Sequence, residues 1–273
     1  MNLRYIIPRV IRHFLPETLT RFLLRRGWII RPGMESSDAQ YAVERYQQVL
    51  EKYGRTLTGK RVLVFGYGSR FDTGIELLRR GAGHVVLCDK FARPDDAHNL
   101  NLLPAAPVYL QENQRQAVTR PEWITLFQGD IRDAARERLF EPVDLVLSTS
   151  VFEHLPGEEM DGICAALAGL TIPGGCQIHF IDLRDHFFKY PFEMLTFSKQ
   201  TWQRWLNPTS NLNRCRIPEY RGMFEAHFKK VEITILESDP VAFEGIQHRV
   251  KPEFLVDDPQ LQAATLIRLD AVP

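Results

Sequence analysis

The sequence lacks an excess of charge of either sign, because 34 lysines and arginines are matched by 34 aspartates and glutamates. Without a global positive field the protein has no general attraction for nucleic acid, so we expect no nucleic-acid partner. Cysteine is scarce too: the four cysteines lie far apart, with none of the short spacings that mark a zinc site or a disulfide framework. Their scarcity indicates a reducing compartment.

Long apolar runs are also missing. No stretch approaches the roughly 20 apolar residues that cross a bilayer, and the N-terminus lacks the uninterrupted core and cleavage site of a secretory signal. We therefore expect a cytoplasmic protein. The 273 residues contain no internal repeat or low-complexity linker, and their length fits one large α/β domain or one domain with insertions.

The arginines are concentrated at the N-terminus, where the first 31 residues carry seven of them against one acid, Glu17. Apolar residues recur between them at helical spacing, with Pro8 and Pro16 as expected breaks, which predicts two short amphipathic helices. Two interpretations stay open. The helices pack on the domain with solvated arginines, or their apolar face and arginines make a peripheral contact with an anionic membrane. The apolar face of the first helix would be Leu3, Ile6, Ile7, Val10, Ile11 and Phe14.

A further apolar stripe from Ser36 to Tyr53 predicts a helix with Ser36 or Ser37 as its cap and Gly54 as its stop. We therefore interpret residues 1–58 as a helical N-terminal extension. Beyond it, β-rich runs alternate with amphipathic stretches, which is typical of a doubly wound parallel sheet. The runs are "RVLVF", "HVVLC", "ITLF", "VDLVL" and "CQIHFI", and the late strands "KKVEITILES" and "ATLIRLDAV" follow without a crossover helix. The helices are "DTGIELLRRG", beginning at a capping Asp72, "IRDAARERLF", "GEEMDGICAALAGL" and "IPEYRGMFEAHF".

The first of these strands ends in a glycine-rich turn. Gly66 and Gly68 would let backbone N–H groups face a ligand at the carboxyl edge of the sheet. Asp89 follows the second strand about 20 residues later, where an acid can accept hydrogen bonds from ribose hydroxyls. The third strand ends in "FQGD", which brings Asp130 to the same edge as an acceptor for an adenine amine, as a helix N-cap, or as both. A nucleoside ligand is therefore predicted.

These motifs resemble those of the class I S-adenosylmethionine-dependent methyltransferases. The resemblance covers "VLVFGYGSR", "LCDK", "FQGD", "VDLVLSTSVFEHLPG" and "PGGCQIHFIDLRDH", from about Lys60 to His186, and the late strands extend it toward Leu269. It implies S-adenosylmethionine as cofactor and a mostly parallel seven-stranded sheet with a C-terminal antiparallel hairpin. It also implies a methyltransferase domain over residues 59–273 with an α-helical cap insertion at about 187–216. The cofactor-binding residues would be Phe65, Gly66, Tyr67, Gly68, Asp89, Lys90, Asp130, Ile131, Ser148 and Glu153.

Two positions depart from the family pattern. Val64 stands where the first strand usually carries an acid that helps hold the amino acid end of the cofactor, and Arg70 stands where a third glycine is usual. These departures leave open a degenerate domain that only binds a partner. A nicotinamide-dependent oxidoreductase of Rossmann type is a separate alternative, because it also has Gly-x-Gly and an acid after the second strand. "VFEHLP" and the absence of a Tyr-x-x-x-Lys relay favour the methyltransferase.

The acceptor side offers two histidines near the transfer edge, His154 and His186. Histidine suits removal of an acceptor's proton because its pKa lies near neutrality. Glu153 would orient His154 or bind the cofactor, and Asp182 or Asp185 would orient His186. A structural role for His154, as a hydrogen bond that shapes the loop before Pro156, is the alternative to catalysis. We expect no metal, because the fourth strand ends in the hydroxyls of "STS". O-methylation of a small molecule or glycan is favoured, and the residues expected to bind that acceptor are Arg184, Asn213, Arg214 and Arg216.

Overall fold

The structure is a computed structural model, and it describes residues 3–16, 19, 38–187, 189–208 and 211–273. The second of the two predicted N-terminal helices falls largely within residues 20–37, outside the described residues. Four of the seven N-terminal arginines also lie outside the described residues, namely Arg21, Arg25, Arg26 and Arg31.

The described residues form a seven-stranded sheet and a separate two-stranded hairpin. The sheet contains β1 (Arg61–Phe65), β2 (His84–Asp89), β5 (Ile124–Gln128), β6 (Val143–Thr149), β7 (Thr171–Asp182), β8 (Lys230–Ser238) and β9 (Ala264–Val272). Its order is β5-β2-β1-β6-β7-β9-β8, and β9 runs antiparallel to both of its neighbours. The other pairings are parallel. The hairpin, β3 (Leu110–Asn113) with β4 (Gln116–Thr119), was not predicted from the sequence.

Ten helices accompany the strands in the described part of the chain. They are α1 (Leu3–Phe14), α2 (Ala39–Lys52), α3 (Asp72–Arg79), α4 (Asp96–Leu100), α5 (Ile131–Glu137), α6 (Gly157–Leu170), α7 (Lys199–Thr201), α8 (Ile217–Glu225), α9 (Pro240–Glu244) and α10 (Pro259–Gln262). A π-helical turn, Trp202–Leu206, continues α7. Short 3₁₀ turns lie at Leu103–Ala105, Phe152–His154, Glu193–Thr196, Gln247–Arg249 and Pro252–Phe254.

Alternate residues of each central strand enter two separate apolar layers, as the period of a pleated strand requires. Leu63 of β1 joins the layer formed with α5, α6 and α8. Val62 and Val64 join the layer formed with α2, α3 and the β3–β4 hairpin. The predicted doubly wound α/β sheet with an antiparallel C-terminal hairpin is therefore confirmed.

The predicted helix boundaries are correct to within a few residues, but two caps differ. Asp38 caps α2 in place of Ser36 or Ser37, since its Oδ1 accepts the Gln40 N–H at 2.9 Å. Asp72 lies inside the first turn of α3 and does not cap it, because its carboxylate is drawn to the His98 ring, 2.8 Å away. Asp130 caps α5 as predicted.

Helix α1 differs more, because the helix continues through Pro8. A proline in a helix leaves the carbonyl four residues earlier without its N–H partner. That carbonyl belongs to Arg4. Arg4 and Pro8 are both exposed, so water can donate a hydrogen bond to this carbonyl.

The face that α1 turns inward is also the opposite of the expected one. The buried residues are Tyr5, Arg9 and Arg12, while four of the six residues of the predicted apolar face point outward. The other two, Ile6 and Val10, are half-buried and pack against a core cluster. The exposed fractions of the outward side chains are 58% for Leu3, 56% for Ile7, 56% for Ile11 and 62% for Phe14. Both sequence interpretations placed the arginines in solvent or on a membrane, and for Arg9 and Arg12 the structure overturns that placement. In the described part of the chain, no helix combines the length and the apolar character needed to span a bilayer.

Candidate active site

The turn after β1 has the open geometry that its glycines predict. Gly66 and Gly68 have φ angles of 77° and 70°, a region that side chains disfavour. A Cβ atom on Gly66 would lie 2.3 Å from Val151 Cγ2, so this glycine lets the loop after β6 approach. A Cβ atom on Gly68 would meet no atom within 4 Å, so this glycine faces open space. A nucleoside could approach the backbone there.

Asp89 connects the glycine turn with the loop after β2. Its Oδ1 accepts the N–H groups of Phe91 at 2.9 Å and Ala92 at 2.7 Å, and its Oδ2 accepts that of Gly68 at 3.2 Å. A carboxylate oxygen has about two lone-pair sites, so Oδ2 retains one for a ribose hydroxyl. Asp89 therefore can shape the turn and bind a nucleoside at once.

Two aromatic residues, Tyr67 and Phe91, lie near Asp89, where a nucleoside would bind. Phe91 is 64% exposed, an unusual state for a large apolar ring, and sequence reasoning missed it because exposure leaves no pattern in the sequence. The Tyr67 hydroxyl is buried and has no hydrogen-bond partner among the described residues. Burial and the charge of Asp89 raise the pKa of Tyr67 to about 12, so its hydroxyl stays protonated and can donate a hydrogen bond. These features fit the nucleoside end of S-adenosylmethionine.

Lys90 and Asp130 lie together at the next position along this edge. Lys90 Nζ is 3.0 Å from Asp130 Oδ2 and 3.1 Å from Glu159 Oε2, and Arg132 bonds to both carboxylates. Hydrogen bonds from Arg132 and Lys90 hold the pKa of Asp130 well below its usual range. The Asp130 oxygens are thus largely engaged, and the Ile131 side chain is buried in the core.

Two other predicted cofactor residues are buried in the sheet. Phe65 packs edge-on against Phe152 with ring centroids 6.0 Å apart. The Ser148 hydroxyl is 2.8 Å from His179 Nδ1, and His179 Nε2 is 3.0 Å from Gln177 Oε1. Because an amide oxygen only accepts, Nε2 carries the proton and Ser148 donates to Nδ1. Ser148 therefore belongs to a polar chain inside the sheet.

The two departures from the family pattern have clear structural settings. Val64 is 6% exposed and packs in the apolar layer below α2 and α3, so it offers no group to the amino acid end of a cofactor. The Arg70 guanidinium extends away from the turn to His98, at 2.8 Å, and to Asp72, at 3.4 Å.

His154 and His186 are brought together, with ring centroids 4.8 Å apart. His154 Nδ1 is 2.9 Å from the Asn211 carbonyl oxygen, so this nitrogen donates and Nε2 carries the lone pair. His186 is 3% exposed. Burial, then the charges of His154 and of nearby arginines, lowers the pKa of His186 to about 2, so its ring is neutral at physiological pH.

Glu153 lies beside the two histidines and is 2% exposed. Neither carboxylate oxygen makes a hydrogen bond of normal geometry with the described residues, although the Ser150 hydroxyl and the backbone amides of Glu153 and Asp182 are near. Burial raises the pKa of Glu153 well above its usual value. His154 Nδ1 faces the Asn211 carbonyl and not Glu153, so an orienting or cofactor-binding role for Glu153 stays a prediction.

Asn213 positions the His154 turn. Its Nδ2 donates to the Phe152 carbonyl at 2.7 Å and to the Leu155 carbonyl at 3.1 Å, and its backbone N–H donates to the Glu153 carbonyl at 2.9 Å. Asn211 adds a hydrogen bond from Nδ2 to the His154 carbonyl at 3.0 Å. The predicted acceptor residue Asn213 thus holds catalytic candidates in place.

The three arginines predicted to bind the acceptor make hydrogen bonds and ion pairs with other residues of the protein. Arg214 Nη1 donates to the Met194 and Phe197 carbonyls, and Arg216 donates to the carbonyls of Leu183, Gln262 and Ala264. The Arg214 bonds lie within residues 187–216, whereas the Arg216 bonds join this segment to the end of β7 and the start of β9. Arg184 pairs with Asp182 at 2.8 Å and lines a surface cavity of about 380 Å³.

Helix α1 supplies the side chains that hold the His186 loop from the other side. The Tyr5 hydroxyl and Arg9 Nη2 both donate to the carboxylate of Asp185, the residue before His186. Arg9 Nε and Nη1 and Arg12 Nε and Nη2 are buried without an acceptor in the described part of the protein. These free donors were missed from the sequence, because nothing local indicates that the arginine face of α1 turns inward.

Three solved methyltransferases have a similar fold at low sequence identity. Magnesium protoporphyrin IX methyltransferase from Synechocystis, solved with bound S-adenosylhomocysteine, gives a TM-score of 0.51 at 16% identity, covering 96% of this chain and 97% of that chain. A candidate O-methyltransferase from Nostoc punctiforme gives 0.51 at 14%, covering 88% of this chain and 57% of that one, so our chain spans just over half its length. Geranyl diphosphate C-methyltransferase from Streptomyces coelicolor, in complex with Mg²⁺, geranyl diphosphate and S-adenosylhomocysteine, gives 0.51 at 8%, covering 84% and 79%.

No protein-family model and no curated protein matches the sequence. The likeness to the solved structures therefore rests on the order and direction of the strands. The chain has the fold of the class I S-adenosylmethionine-dependent methyltransferases.

Proposed function

We propose that the protein is an S-adenosylmethionine-dependent methyltransferase that O-methylates a small molecule or glycan. The observation that carries the proposal is the sheet order, in which the last strand, β9, enters antiparallel between β7 and β8. The glycine turn and Asp89 lie at the carboxyl edge of the same sheet, where ligands of open α/β folds bind.

The same observation argues against the nicotinamide-dependent alternative. The dinucleotide-binding fold has six parallel strands in the order 3-2-1-4-5-6, without an antiparallel strand inserted beside the fifth. The degenerate-domain alternative draws its support from Val64 and Arg70, which leave the amino acid end of the cofactor to other groups.

The cofactor supplies an activated methyl group when bound, and the chain's task is to align the acceptor and assist loss of its proton. His154 is the residue that assists loss of the acceptor's proton, and His186 contacts the acceptor beside it, because a pKa of about 2 makes the His186 ring a weak base. Asn213 and Asn211 fix the His154 turn, and Asp185, held by α1, fixes the His186 loop. We propose residues 59–273 as the catalytic domain, with the cap at 187–216 and the extension at 1–58 closing the acceptor side.

The acceptor carries a carboxylate or phosphate in this proposal. Burying a guanidinium without a counterion costs several kcal/mol, so buried arginines are expected to have anionic partners. Asp185 forms an ion pair with Arg9, whereas Arg12 has no carboxylate partner among the described residues. An anionic group on the acceptor would bind the free donors of Arg9 and Arg12, near His186.

Calorimetry with S-adenosylmethionine, S-adenosylhomocysteine and NAD tests the class of the protein. We expect the first two to bind and NAD not to bind. Binding of NAD alone would instead favour the oxidoreductase, and failure of all three to bind would favour the degenerate domain.

Replacement of His186 tests the acceptor side. We expect His186→Ala to lower turnover and leave the affinity for S-adenosylmethionine nearly unchanged, since its ring acts on the acceptor. The acceptor for this assay is found by screening acidic metabolites and glycans for release of S-adenosylhomocysteine. His248→Ala, which changes an exposed histidine elsewhere, is the control. Equal loss of turnover and cofactor affinity would point to a structural role for His186.

A further inference from the structure

Three side chains with metal-ligating atoms meet at the acceptor side of the site. Glu153 and His154 come from the turn after β6, and His186 comes from the loop after β7. One ligand atom from each residue lies within 4.8 Å of the other two. Parallel strands bring these loops to one edge of the sheet. The three side chains are therefore close because of the fold, and their spacing in the sequence does not indicate it.

The hydrogen bonding of His154 prepares it as a ligand. Its Nδ1–H donates to the Asn211 carbonyl, so the neutral ring has its lone pair on Nε2, the nitrogen that would ligate an ion. Metal-binding histidines commonly donate their second ring nitrogen to a carbonyl or carboxylate in this way, which fixes both the tautomer and the ring orientation.

Glu153 provides the second and independent indication. Glu153 is 2% exposed and lacks a hydrogen bond of normal geometry with the described residues, so its charged carboxylate form is costly to bury without a cation. A cation bound between Glu153 and the two imidazoles would remove that cost. Arg9 and Arg184 do not offset the cost of burying the Glu153 charge, because they are paired with Asp185 and Asp182.

We propose that Glu153, His154 and His186 form a binding site for one divalent transition-metal ion. Two imidazoles and one carboxylate are a ligand set used for zinc in hydrolytic enzymes and for non-haem iron, and imidazole favours these ions over Mg²⁺ and Ca²⁺. This departs from the sequence-based expectation of no metal. That expectation considered the "STS" hydroxyls at the end of β6, whereas the ligands lie one turn further on and on the next strand's loop.

The site must contract a little to bind the ion. Ligand atoms of a tetrahedral zinc site lie about 3.3 Å apart, so the widest separation in this cluster would shorten by about 1.5 Å.

The surrounding charges permit the ion but favour an anion beside it. Asp185 and Asp182 pair with Arg9 and Arg184, and these two arginines and Arg12 all act on His186. An ion adds further positive charge here, so a negatively charged acceptor would bind the ion and Arg12 together. This use of the ion, to bind and polarise the acceptor's hydroxyl, rests on the proposed methyl transfer, whereas ion binding itself does not.

Metal titration of the full chain tests the site without cofactor or acceptor. Protein freed of metal with a chelator is titrated calorimetrically with Zn²⁺, and the ion retained after gel filtration is counted by elemental analysis. We expect one tightly held Zn²⁺ per chain and much weaker binding of Mg²⁺. We expect Glu153→Gln and His154→Ala each to weaken Zn²⁺ binding at least 100-fold, while His248→Ala leaves it unchanged.

Folding of the variants is checked by circular dichroism, and Glu153→Gln preserves the volume of the side chain. A second measurement uses the unaltered protein: bound Co²⁺ should show visible absorption of a low-coordinate site with nitrogen ligands, displaced by one equivalent of Zn²⁺. The proposal is overturned if the unaltered protein retains no ion, or if Glu153→Gln and His154→Ala bind Zn²⁺ as tightly as it does. Either result would leave the methyltransferase proposal standing, because cofactor calorimetry tests that separately.

Discussion

Asp89 holds the glycine turn, and we propose that the same carboxylate binds the cofactor's ribose. Replacing it with alanine should weaken S-adenosylmethionine binding by about 1.5–3 kcal/mol, or roughly 10- to 150-fold, because a charge-assisted hydrogen bond to the ribose is lost. Isothermal titration calorimetry measures the change directly. Asp257→Ala, at an exposed position far along the chain, is expected to bind the cofactor normally.

The same substitution also frees the amides of Gly68, Phe91 and Ala92. Asp89→Asn separates the two effects, because its amide oxygen can still accept from the loop while the negative charge is gone. We expect an intermediate loss of affinity for Asp89→Asn. Wild-type affinity in both variants would show that the ribose is held elsewhere.

His179 makes a pH-dependent contribution to stability. It is fully buried between Ser148 and Gln177, and burial lowers its pKa to about 3. An unfolded chain protonates this histidine below about pH 6.5, whereas the folded protein does not. The free energy of unfolding should therefore fall by about 1.4 kcal/mol for each pH unit below 6.5 from this residue alone, until the pH nears 3.

Urea denaturation at pH 7, 6 and 5 measures this slope. His179→Gln should be less stable at neutral pH but should lose less stability on acidification, by about 1.4 kcal/mol per pH unit. His248→Gln, which alters an exposed histidine, should keep the wild-type slope. An unchanged slope in His179→Gln would show that its ring takes up a proton in the folded protein.

Residues whose role depends on local backbone could be predicted from the sequence. Gly66, Gly68 and the Asp130 cap are of this kind, since turn geometry and capping involve neighbours a few residues away. Asn213 and Arg9 are different. Asn213 acts on a turn about 60 residues earlier, and Arg9 acts on Asp185, 176 residues later, so only the fold shows what each one binds.

At the scale of the elements, periodicity predicted which segments are helices but failed to predict which face of α1 is buried. The apolar spacing of α1 is typical of a helix that packs its apolar side inward. Here Asp185 and the ring of Phe187 attract Tyr5 and Arg9 instead, through hydrogen bonds and a cation–π contact of 4.8 Å. The β3–β4 hairpin was missed for another reason: its strands have four residues each and lack a strong alternation.

The inward face of α1 makes Arg9 important for stability. Arg9→Ala leaves the Asp185 carboxylate buried with one donor fewer, and loss of one partner of a buried ion pair costs about 3–5 kcal/mol. Urea denaturation should show a loss of this size. Arg4→Ala removes an exposed arginine from the same helix and should change stability by no more than about 0.5 kcal/mol.

A double variant refines the test of α1. Arg9→Met with Asp185→Asn removes both charges while keeping apolar contact with Phe187, so it should recover part of the lost stability. If Arg9→Ala were no less stable than Arg4→Ala, α1 would not be packed against Asp185 in solution.

At the scale of the whole molecule, the reversed α1 leaves an apolar stripe on the protein surface. Leu3, Ile7, Ile11 and Phe14 are all more than half exposed, and Phe14 contacts Trp205, itself 44% exposed, with ring centroids 5.9 Å apart. This surface is the basis for proposing a peripheral contact with an anionic membrane. Arg4 and the arginines of residues 20–31, in place of Arg9 and Arg12, would supply the attraction to headgroups, each worth about 1 kcal/mol near such a surface.

Sedimentation with anionic and neutral vesicles at low and high salt tests that contact. We expect binding that requires anionic lipid, weakens with salt, and is lost in Ile7→Glu, because a charge in the stripe opposes insertion of the apolar face. Val241→Glu is the matched control, since Val241 is 81% exposed and lies outside α1. If the unaltered protein binds no vesicle under any of these conditions, α1 acts only as a packed helix that holds the His186 loop. A chain starting near Ser36 should then lose stability, because the cap surface around Trp202 and the Asp185 carboxylate would become exposed.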